Sequence, residues 1–304
     1  MIQLDRSRCL LLDQFFGRRV DRECDSDHSA RTNGIQRLPE CVVSSGMSGQ
    51  TATLQKCMSE LFGSTRTVLK GRYALLTPDS FVPSYLPGWK NAVVTVNISP
   101  AMGARFTQLL IALDKEGAGE GNIGANEYFI YVIEGAATIM LDERRHRLEG
   151  GSYIYLPPRT DMQIKSAGVE TRMLVFQKRF EPASSTAKLA GIVSHERDVK
   201  GQPYLGNEDA QLQTLLPENP AFDLAVNIFT FQPGAAPPFV ESHIMENGTL
   251  MLTGQGIYRL ESDWYPVQTG DVIWTAPYCP QWFVAVGRTP ASFIYFEDVN
   301  RDPM

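Results

Sequence analysis

Two segments of the 304-residue chain share one pattern of turn-forming residues, and this internal repeat constrains the fold more than any other feature. The first copy spans residues 132–158 and the second spans residues 252–277. Three glycine or proline positions recur at an offset of 119 residues: Gly135 with Gly254, Gly151 with Gly270, and Pro158 with Pro277. Matching turn residues across two gaps indicate a duplicated domain.

Each copy has the composition of short β-strands. Aromatic and β-branched residues dominate 128–133 and 272–274, glycine or proline bounds both stretches, and helical periodicity is scarce. Short strands with frequent turns are typical of a sandwich or a small barrel, and a closed barrel also removes exposed strand edges. With 43% apolar and 20% charged residues, the chain has the material for two cores and is not a disordered protein.

Charge and cysteine content exclude several classes of protein. The net charge is −6 and no basic stripe with interleaved aromatics occurs, so nucleic acid is not an expected partner. No apolar run approaches the roughly 20 residues that span a bilayer, so no membrane partner is expected. The five cysteines show no C-x-x-C spacing. They are typical of reduced thiols, which predicts a cytoplasmic protein.

Residues 1–46 differ from the rest, with clustered Arg and Asp and little periodicity. Two interpretations stay open: a disordered extension, or a misplaced start codon with translation beginning at Met47. No function is placed there. The expected domains are therefore 47–185 for a first barrel and 186–304 for a second.

The Gly-x-x-x-x-x-x-Pro element that closes each copy resembles the second conserved motif of the cupins. Cupins bind a metal ion inside the barrel, through a His-x-His…Glu set on one hairpin and a His on a later strand. In the second copy, Glu241 and His243 form an i, i+2 pair that would point to one face of a strand. Asn247 and Gln281 complete a candidate metal set of Glu241, His243, Asn247 and Gln281.

An isolated Glu-x-His is more often a surface glutamate and a core histidine, but its place in the duplicated frame favours a metal site. Three oxygen donors and one imidazole suit Mn²⁺ better than Zn²⁺. With one formal negative charge, this set predicts modest affinity. The corresponding first-copy positions hold no comparable set, so the first barrel is expected to be metal-free and structural: Asn122, Gly124, Tyr128 and Met162.

Several strings between about residue 70 and the C-terminus narrow the resemblance to one family. They are Tyr-Ala-Leu-Leu-Thr-Pro-Asp at 73–79, Leu-Pro-Gly-Trp at 86–89, Phe-Gln-Pro-Gly at 231–234, Gly-Gln-Gly-Ile-Tyr-Arg-Leu at 254–260, Trp-Tyr-Pro-Val at 264–267 and Asp-Val-Asn-Arg at 298–301. Together they resemble (S)-ureidoglycine aminohydrolase, a manganese-dependent bicupin of purine (allantoin) degradation. The resemblance implies an all-β fold of two tandem cupin barrels, and hydrolysis of a small ureide to ureidoglycolate and ammonia. Bicupins of this type expose long β edges, which predicts a homo-oligomer.

The family holds its metal with Glu, two His and Gln. Glu241, His243 and Gln281 match, whereas the second His falls on Asn247. The family also has a lysine and a tyrosine that are expected to hold the substrate carboxylate, where this chain has Glu297 and Phe293.

The resemblance therefore implies Glu241 and the retained Tyr258 as catalytic residues. It implies that the substrate-binding positions are Glu241, Gln281, Phe293 and Glu297. Three functions stay open: a ureidoglycine aminohydrolase, a related hydrolase of a cationic or neutral amine, and a non-catalytic bicupin that acts as a sensor or assembly partner.

Overall fold

The computed structural model describes residues 65–183 and 189–301, so both interpretations of residues 1–46 lie outside the described part of the chain. In the described part the regular structure consists of β-strands and three single 3₁₀ turns, at Pro78–Ser80, Pro100–Met102 and Glu196–Asp198. No helix there is long and apolar enough to cross a membrane. The all-β architecture expected from the sequence is confirmed.

The strands are numbered here in chain order. The first twelve are β1 (Val68–Leu69), β2 (Tyr73–Leu76), β3 (Pro83–Ser84), β4 (Trp89–Ile98), β5 (Phe106–Asn122), β6 (Asn126–Glu134), β7 (Ala136–Leu141), β8 (Arg144–Glu149), β9 (Ser152–Leu156), β10 (Asp161–Ser166), β11 (Thr171–Arg179) and β12 (Ile192–His195). The others are β13 (Gln202–Tyr204), β14 (Asn207–Thr214), β15 (Leu224–Phe231), β16 (Asn247–Thr253), β17 (Gln255–Leu260), β18 (Asp263–Gln268), β19 (Val272–Thr275), β20 (Gln281–Val286) and β21 (Ala291–Asp298).

The strands form two barrels that exchange strands at their edges. One ten-stranded sheet has the order β12-β9-β6-β11-β5-β10-β7-β8, with β4 paired to β5 and β3 to β4. The second barrel combines an eight-stranded sheet, β1-β2-β19-β16-β21-β15-β14-β13, with a three-stranded sheet, β18-β17-β20. Strand β2 thus pairs with β19 of the second barrel, and β12 pairs with β9 of the first. Each barrel therefore includes a strand from the half of the sequence that mainly forms the other barrel.

The predicted duplication is visible in the pairing of the strands. Ile139 pairs with Ile164 in the first barrel, and the residues 119 positions later, Tyr258 and Phe283, pair in the second. The last strand is shifted by one further residue: Ile130 pairs with Val175, and Thr249 pairs with Tyr295. The second copy therefore carries one extra residue before β21.

The two lumens differ in what fills them. The first is packed with aliphatic side chains and methionines, including Ile111, Ile130, Ile164 and Met173. The second has an aromatic cluster, called here the lumen floor: Phe229, Phe231, Phe283 and Phe293. Because side chains alternate along a strand, every second residue beyond this floor also faces the lumen. The floor therefore fixes which polar side chains reach the mouth of the second barrel.

The turn glycines of the repeat are required by close backbone contacts. Gly135 and Gly254 have φ angles of +87° and +73°. A Cβ atom on Gly254 would lie 2.5 Å from the carbonyl oxygen of Pro290, and one on Gly135 would collide with the carbonyl oxygen of Glu170. The same turn is thus packed against the start of the last strand in both barrels.

The barrels pack through a buried interface that combines stacked rings with charged groups. Phe106 of β5 stacks on Phe296 of β21 at 4.2 Å between ring centroids. Beside these rings, buried Lys178 donates to buried Asp223. Glu127, also buried, accepts a hydrogen bond of 2.7 Å from the Tyr155 hydroxyl. Burial, and then the neighbouring Asp223, raise the pKa of Glu127 to about 9.

Replacement of Gly254 by alanine should destabilise the protein more than the same change at Gly168. Gly168 also has a positive φ, +85°, but nothing lies within 4 Å of its Cβ position. The loss of unfolding free energy in Gly168→Ala therefore measures only the cost of a left-handed backbone conformation for a residue with a Cβ atom, about 1–2 kcal/mol. Gly254→Ala should add about 1–3 kcal/mol of overpacking. Urea unfolding measures both, and equal losses would contradict the close contact.

Replacement of Glu127 by glutamine should change how stability depends on pH. The folded-state pKa of about 9 lies above the ordinary value of 4.5, so the native protein binds this proton more tightly than the unfolded chain. That contribution to stability is complete at low pH and is lost as the pH rises towards about 9. Glu127→Gln should therefore gain stability relative to the parent protein between about pH 5 and pH 9. Thermal unfolding of both proteins at several pH values measures this. A difference in melting temperature that stays constant between about pH 5 and pH 9 would contradict the raised pKa of Glu127.

Candidate functional site

A proline-containing loop carries the first two predicted site residues. Strand β15 ends at Phe231, and the segment that follows contains Pro233, Pro237 and Pro238, which have no N–H group for a sheet ladder. Trp282 fixes this loop, because its Nε1 donates to the Pro237 carbonyl at 2.8 Å. Glu241 and His243 were expected on one strand. That expectation is wrong, because the prolines end the strand and both residues lie in the loop.

Gln281 joins this loop to β20. Its backbone forms an isolated β-bridge with Glu241, with hydrogen bonds of 2.8 and 2.9 Å in the two directions. Its side-chain Nε2 lies 3.2 Å from His243 Nε2 and donates to Asn247 Oδ1 at 3.1 Å. Its Oε1 accepts from the Tyr258 hydroxyl at 3.0 Å. The structure therefore brings three other predicted residues, His243, Asn247 and Tyr258, to the buried Gln281 amide, and a fourth, Glu241, to its backbone.

His243 presents one ring nitrogen to the lumen. Its Nδ1 lies 3.1 Å from the carbonyl oxygen of Met245, which can only accept, so Nδ1 carries the proton. In the neutral tautomer Nε2 keeps its lone pair, directed at Gln281. A carbonyl that fixes the tautomer in this way is typical of a metal-ligating histidine.

Tyr204, which was missed by the sequence analysis, positions the Glu241 carboxylate. Its hydroxyl donates to Glu241 Oε1 at 2.5 Å, and its ring packs edge-on against Phe229 of the lumen floor. Burial and the hydrogen bond to Glu241 raise the pKa of Tyr204 above the ordinary range, so the phenol stays a neutral donor. Glu241 itself is half-buried.

Asn247 and Glu297 are partners across the β16–β21 pair. Asn247 Nδ2 donates to Glu297 Oε1 at 3.1 Å, while Asn247 Oδ1 accepts from Thr275 at 3.3 Å as well as from Gln281. The Glu297 side chain is 16% exposed and its Oε1 lies 3.9 Å from His243 Nε2. Burial raises the pKa of Glu297, against the opposing effects of His243 and Asn247. Glu297 therefore points into the site.

Phe293 belongs to the lumen floor, where its ring packs against Phe231 and Phe283. Two further lumen positions follow by alternation and were missed. Tyr295 lies between Phe293 and Glu297 on the same face of β21, and buried Asn227 pairs with it on β15. Asn227 Oδ1 has no hydrogen-bond partner among the described residues. Both could have been found from the sequence, because Tyr295 lies two residues after Phe293 and Asn227 lies two residues before Phe229, so each shares the face of its strand with a lumen residue.

The donor chemistry of this site suits a hard divalent cation. The described residues hold no group of three or more His, Cys, Asp or Glu placed to bind a metal, and two of the four predicted ligands are amides. Amides bind cations through oxygen, and Asn247 Oδ1 already faces Gln281. Gln281 presents nitrogen to His243, so ligation requires its amide to turn over and exchange Oε1 with Nε2. The residues present therefore fit a cation after this one rotation.

The first barrel has no comparable arrangement at the corresponding positions. Asn122 donates to the carbonyl of Arg159 and to Asp161, and its own oxygen accepts from the backbone of Gly124. Met162 is buried in the aliphatic core, against which Tyr128 also packs. The metal-free first barrel stays a prediction, and these side chains support it.

Comparison of the sequence with known proteins identifies the family of this chain. The chain is 38% identical to the (S)-ureidoglycine aminohydrolase of Arabidopsis thaliana over 251 residues, which cover 81% of the chain and 82% of the relative. It is 34% identical over 247 residues to the (S)-ureidoglycine aminohydrolase of Escherichia coli K12, covering 80% of the chain and 94% of the relative. The chain belongs to the (S)-ureidoglycine aminohydrolase family.

Solved structures agree with membership of the (S)-ureidoglycine aminohydrolase family. The crystal structure of protein Ylba from E. coli aligns with a TM-score of 0.72 and 31% identity, over 79% of this chain and 97% of that one. Oxalate decarboxylase of Bacillus subtilis aligns with a TM-score of 0.59 at 11% identity, over 75% and 78%, which shows a shared fold alone. No family model matches the sequence. The predicted bicupin fold and the family resemblance are confirmed.

Proposed function

We propose that this chain hydrolyses (S)-ureidoglycine to ureidoglycolate and ammonia, in allantoin and purine degradation, with Mn²⁺ in the second barrel. The observation that carries the proposal is the convergence on Gln281 of His243, Asn247 and Tyr258, beside Glu241. It occurs in a chain at least 34% identical to named aminohydrolases over about four-fifths of its length.

The residues that would hold the cation are Glu241, His243, Asn247 and Gln281. Bound there, Mn²⁺ would act as a Lewis acid that orients the amine and ureido groups of the substrate. These carboxylate, amide and imidazole donors suit Mn²⁺ better than they suit a metal that prefers thiolate ligands. A homo-oligomer remains part of the proposal.

Glu241 is proposed to move the proton that the reaction needs. The oxygen of water forms a bond to the aminal carbon, the bond from that carbon to the amine breaks, and one water proton leaves with the amine as ammonia. A half-buried carboxylate held by the Tyr204 hydroxyl is placed to accept that proton and deliver it. Tyr204 thus acts as a positioning residue.

Substrate recognition is proposed to use the polar lumen positions. Tyr258 holds Gln281, and burial raises the pKa of this tyrosine above the ordinary range, so its hydroxyl stays a donor. The unpartnered Oδ1 of Asn227 is an acceptor suited to a ureido N–H group. Phe293 contributes an apolar wall below them.

Glu297 favours a second candidate, a related hydrolase of a cationic or neutral amine. No lysine or arginine occupies the lumen-facing strand positions of the second barrel in the described part of the chain. A free Glu297 carboxylate facing a substrate carboxylate at 4 Å would cost about 4 kcal/mol at an effective dielectric constant of 20. A cationic amine would instead be attracted.

Ammonia release from (S)-ureidoglycine, generated in situ from allantoate, tests the proposal with Mn²⁺-loaded protein. The parent protein should release ammonia stereospecifically, and Glu241→Ala should lower the rate by about 10²–10⁴-fold or more, because the variant loses the proposed proton carrier and a residue that would hold the cation. Glu208→Ala, which removes an exposed carboxylate from β14 of the same barrel, is the matched control and should keep the parent rate.

No release above the spontaneous background from metal-loaded protein would overturn ureidoglycine as the substrate. Turnover of a cationic or neutral amine under the same conditions would then support the second candidate. Equal rates for Glu241→Ala and Glu208→Ala would remove Glu241 from the proton transfer.

A further inference from the structure

The first barrel reaches the site of the second barrel through Arg105, the residue directly before β5. Its backbone N–H donates to the Glu246 carboxylate at 2.5 Å, and its guanidinium forms an ion pair with Asp298. Glu246 and Asp298 are also joined, since the backbone N–H of Glu246 donates to Asp298 Oδ1 at 2.7 Å. These three residues, called here the Arg105 triad, therefore form a closed set of contacts between the two barrels.

Each carboxylate of the Arg105 triad lies next to a residue of the site. Glu246 directly precedes Asn247 at the start of β16, and Asp298 directly follows Glu297 at the end of β21. Asn247 and Glu297 are partners across these two strands. The triad therefore borders both members of the pair, and Arg105 limits how far the start of β16 can move away from the end of β21.

The charges of the triad explain why an arginine is needed there. Glu246 is 1% exposed and the Asp298 side chain is 11% exposed, so both carboxylates are largely removed from water. Two carboxylates held together at such burial repel each other unless a cation lies beside them. Lys178, another cation of the interface between the barrels, is paired with Asp223. Removal of the Arg105 charge should therefore separate Glu246 from Asp298.

The end of β21 is also held by contacts that do not involve Arg105. Asn300 Nδ2 donates to the Phe222 carbonyl at 3.0 Å. Arg301 Nε donates to the Glu181 carbonyl at 2.7 Å. Loss of the Arg105 charge should therefore leave β21 in place and loosen the start of β16, where Asn247 lies.

We propose that Arg105 of the first barrel is a positioning residue for the second barrel, because the triad holds Asn247 opposite Glu297. Its effect on the reaction rests on the proposed function, in which Asn247 is one of the residues that would hold the cation. The first barrel then contributes to the reaction, although its own lumen is filled by apolar side chains. This goes beyond the structural role that the sequence predicts for it.

The alternative is a surface ion pair that has no consequence for the site. The Arg105 side chain is 41% exposed, and an exposed ion pair often adds little stability. The two alternatives differ in what happens to the backbone N–H of Glu246 when the arginine charge is removed. In the proposal this N–H loses its bond to Asp298, whereas in the alternative the bond is kept.

Amide hydrogen exchange of the substrate-free full chain, followed by mass spectrometry, separates the two. Arg105→Met keeps a long side chain but removes the charge, so peptides that cover residues 246–249 should exchange at least about fivefold faster. Arg105→Lys keeps the cation and should exchange nearly as the parent does. Arg197→Met is the matched control, because it removes an exposed arginine that is paired with Glu149, and it should leave these peptides unchanged.

Ammonia release from (S)-ureidoglycine by the same variants, loaded with Mn²⁺, measures the effect on the reaction. Arg105→Met should lower kcat/KM by about 10–10²-fold, because a displacement of about 1 Å in a positioned group has an effect of this size. Arg105→Lys should restore most of the parent value, and Arg197→Met should match the parent. Thermal unfolding checks that each variant is folded at the assay temperature.

Parent-like exchange of residues 246–249 in folded Arg105→Met would overturn the proposal. If that variant does not fold, Asp298→Asn decides in the same way, since it keeps an oxygen for the Glu246 N–H but removes the charge that pairs with Arg105. Faster exchange with an unchanged kcat/KM would overturn the effect on the reaction. Because exchange is measured without substrate, faster exchange with no turnover of ureidoglycine by the parent would refute the proposed substrate and leave Arg105 as the residue that positions Asn247.

Discussion

The pairing of Gln281 with Glu241 is the interaction on which the site depends. In the first barrel, β10 pairs with β5 over five residues, but in the second barrel β20 meets the loop only through this bridge and through backbone hydrogen bonds of Ala285 with Gly234 and Ala235, as far as the described residues show. The bridge fixes the backbone of both residues, so the Gln281 amide is delivered to the point where His243 and Asn247 also arrive. Loss of regular pairing here is what leaves room for polar side chains.

The duplicated barrels diverge because one strand was replaced by a loop. Strand β5 runs unbroken for 17 residues, and its side chains help to close the first lumen with an aliphatic core. Its counterpart β15 spans 8 residues and gives way to the prolines of 233–238. The same fold therefore supports one packed barrel and one barrel with a polar mouth above an aromatic floor. The aliphatic barrel supplies the buried surface against which the second one packs, through Phe106 and Phe296.

The duplication could be predicted from the sequence, because it is marked by turn residues at regular spacing. The glycines at 135 and 254 marked the duplication because their φ angles and close contacts exclude other residues. The duplicated cupin frame grouped Glu241, His243 and Gln281, and in the structure Gln281 pairs with Glu241 and lies beside His243. The exchange of β2 and β12 between barrels could not be predicted, because pairing between residues such as Ile273 and Leu75 leaves no period in the sequence. The hydrogen bond from Tyr204 to Glu241 was missed for the same reason, because it joins residues 37 positions apart in the sequence.

The role of Glu297 shows why a residue type alone does not decide specificity. Considered as a free charge, this carboxylate repels an anionic substrate and favours an amine. Beside a bound cation, its charge would be neutralised, and the repulsion that speaks against a carboxylate substrate would disappear. In the structure Glu297 lies opposite Asn247, which donates to its Oε1, and this oxygen is 3.9 Å from His243 Nε2. A cation bound in this lumen would therefore change the charge that the site presents to a substrate. The side chains of Asn247 and Glu297 are linked by a hydrogen bond across the β16–β21 pair, so a change at either position alters the environment of the other.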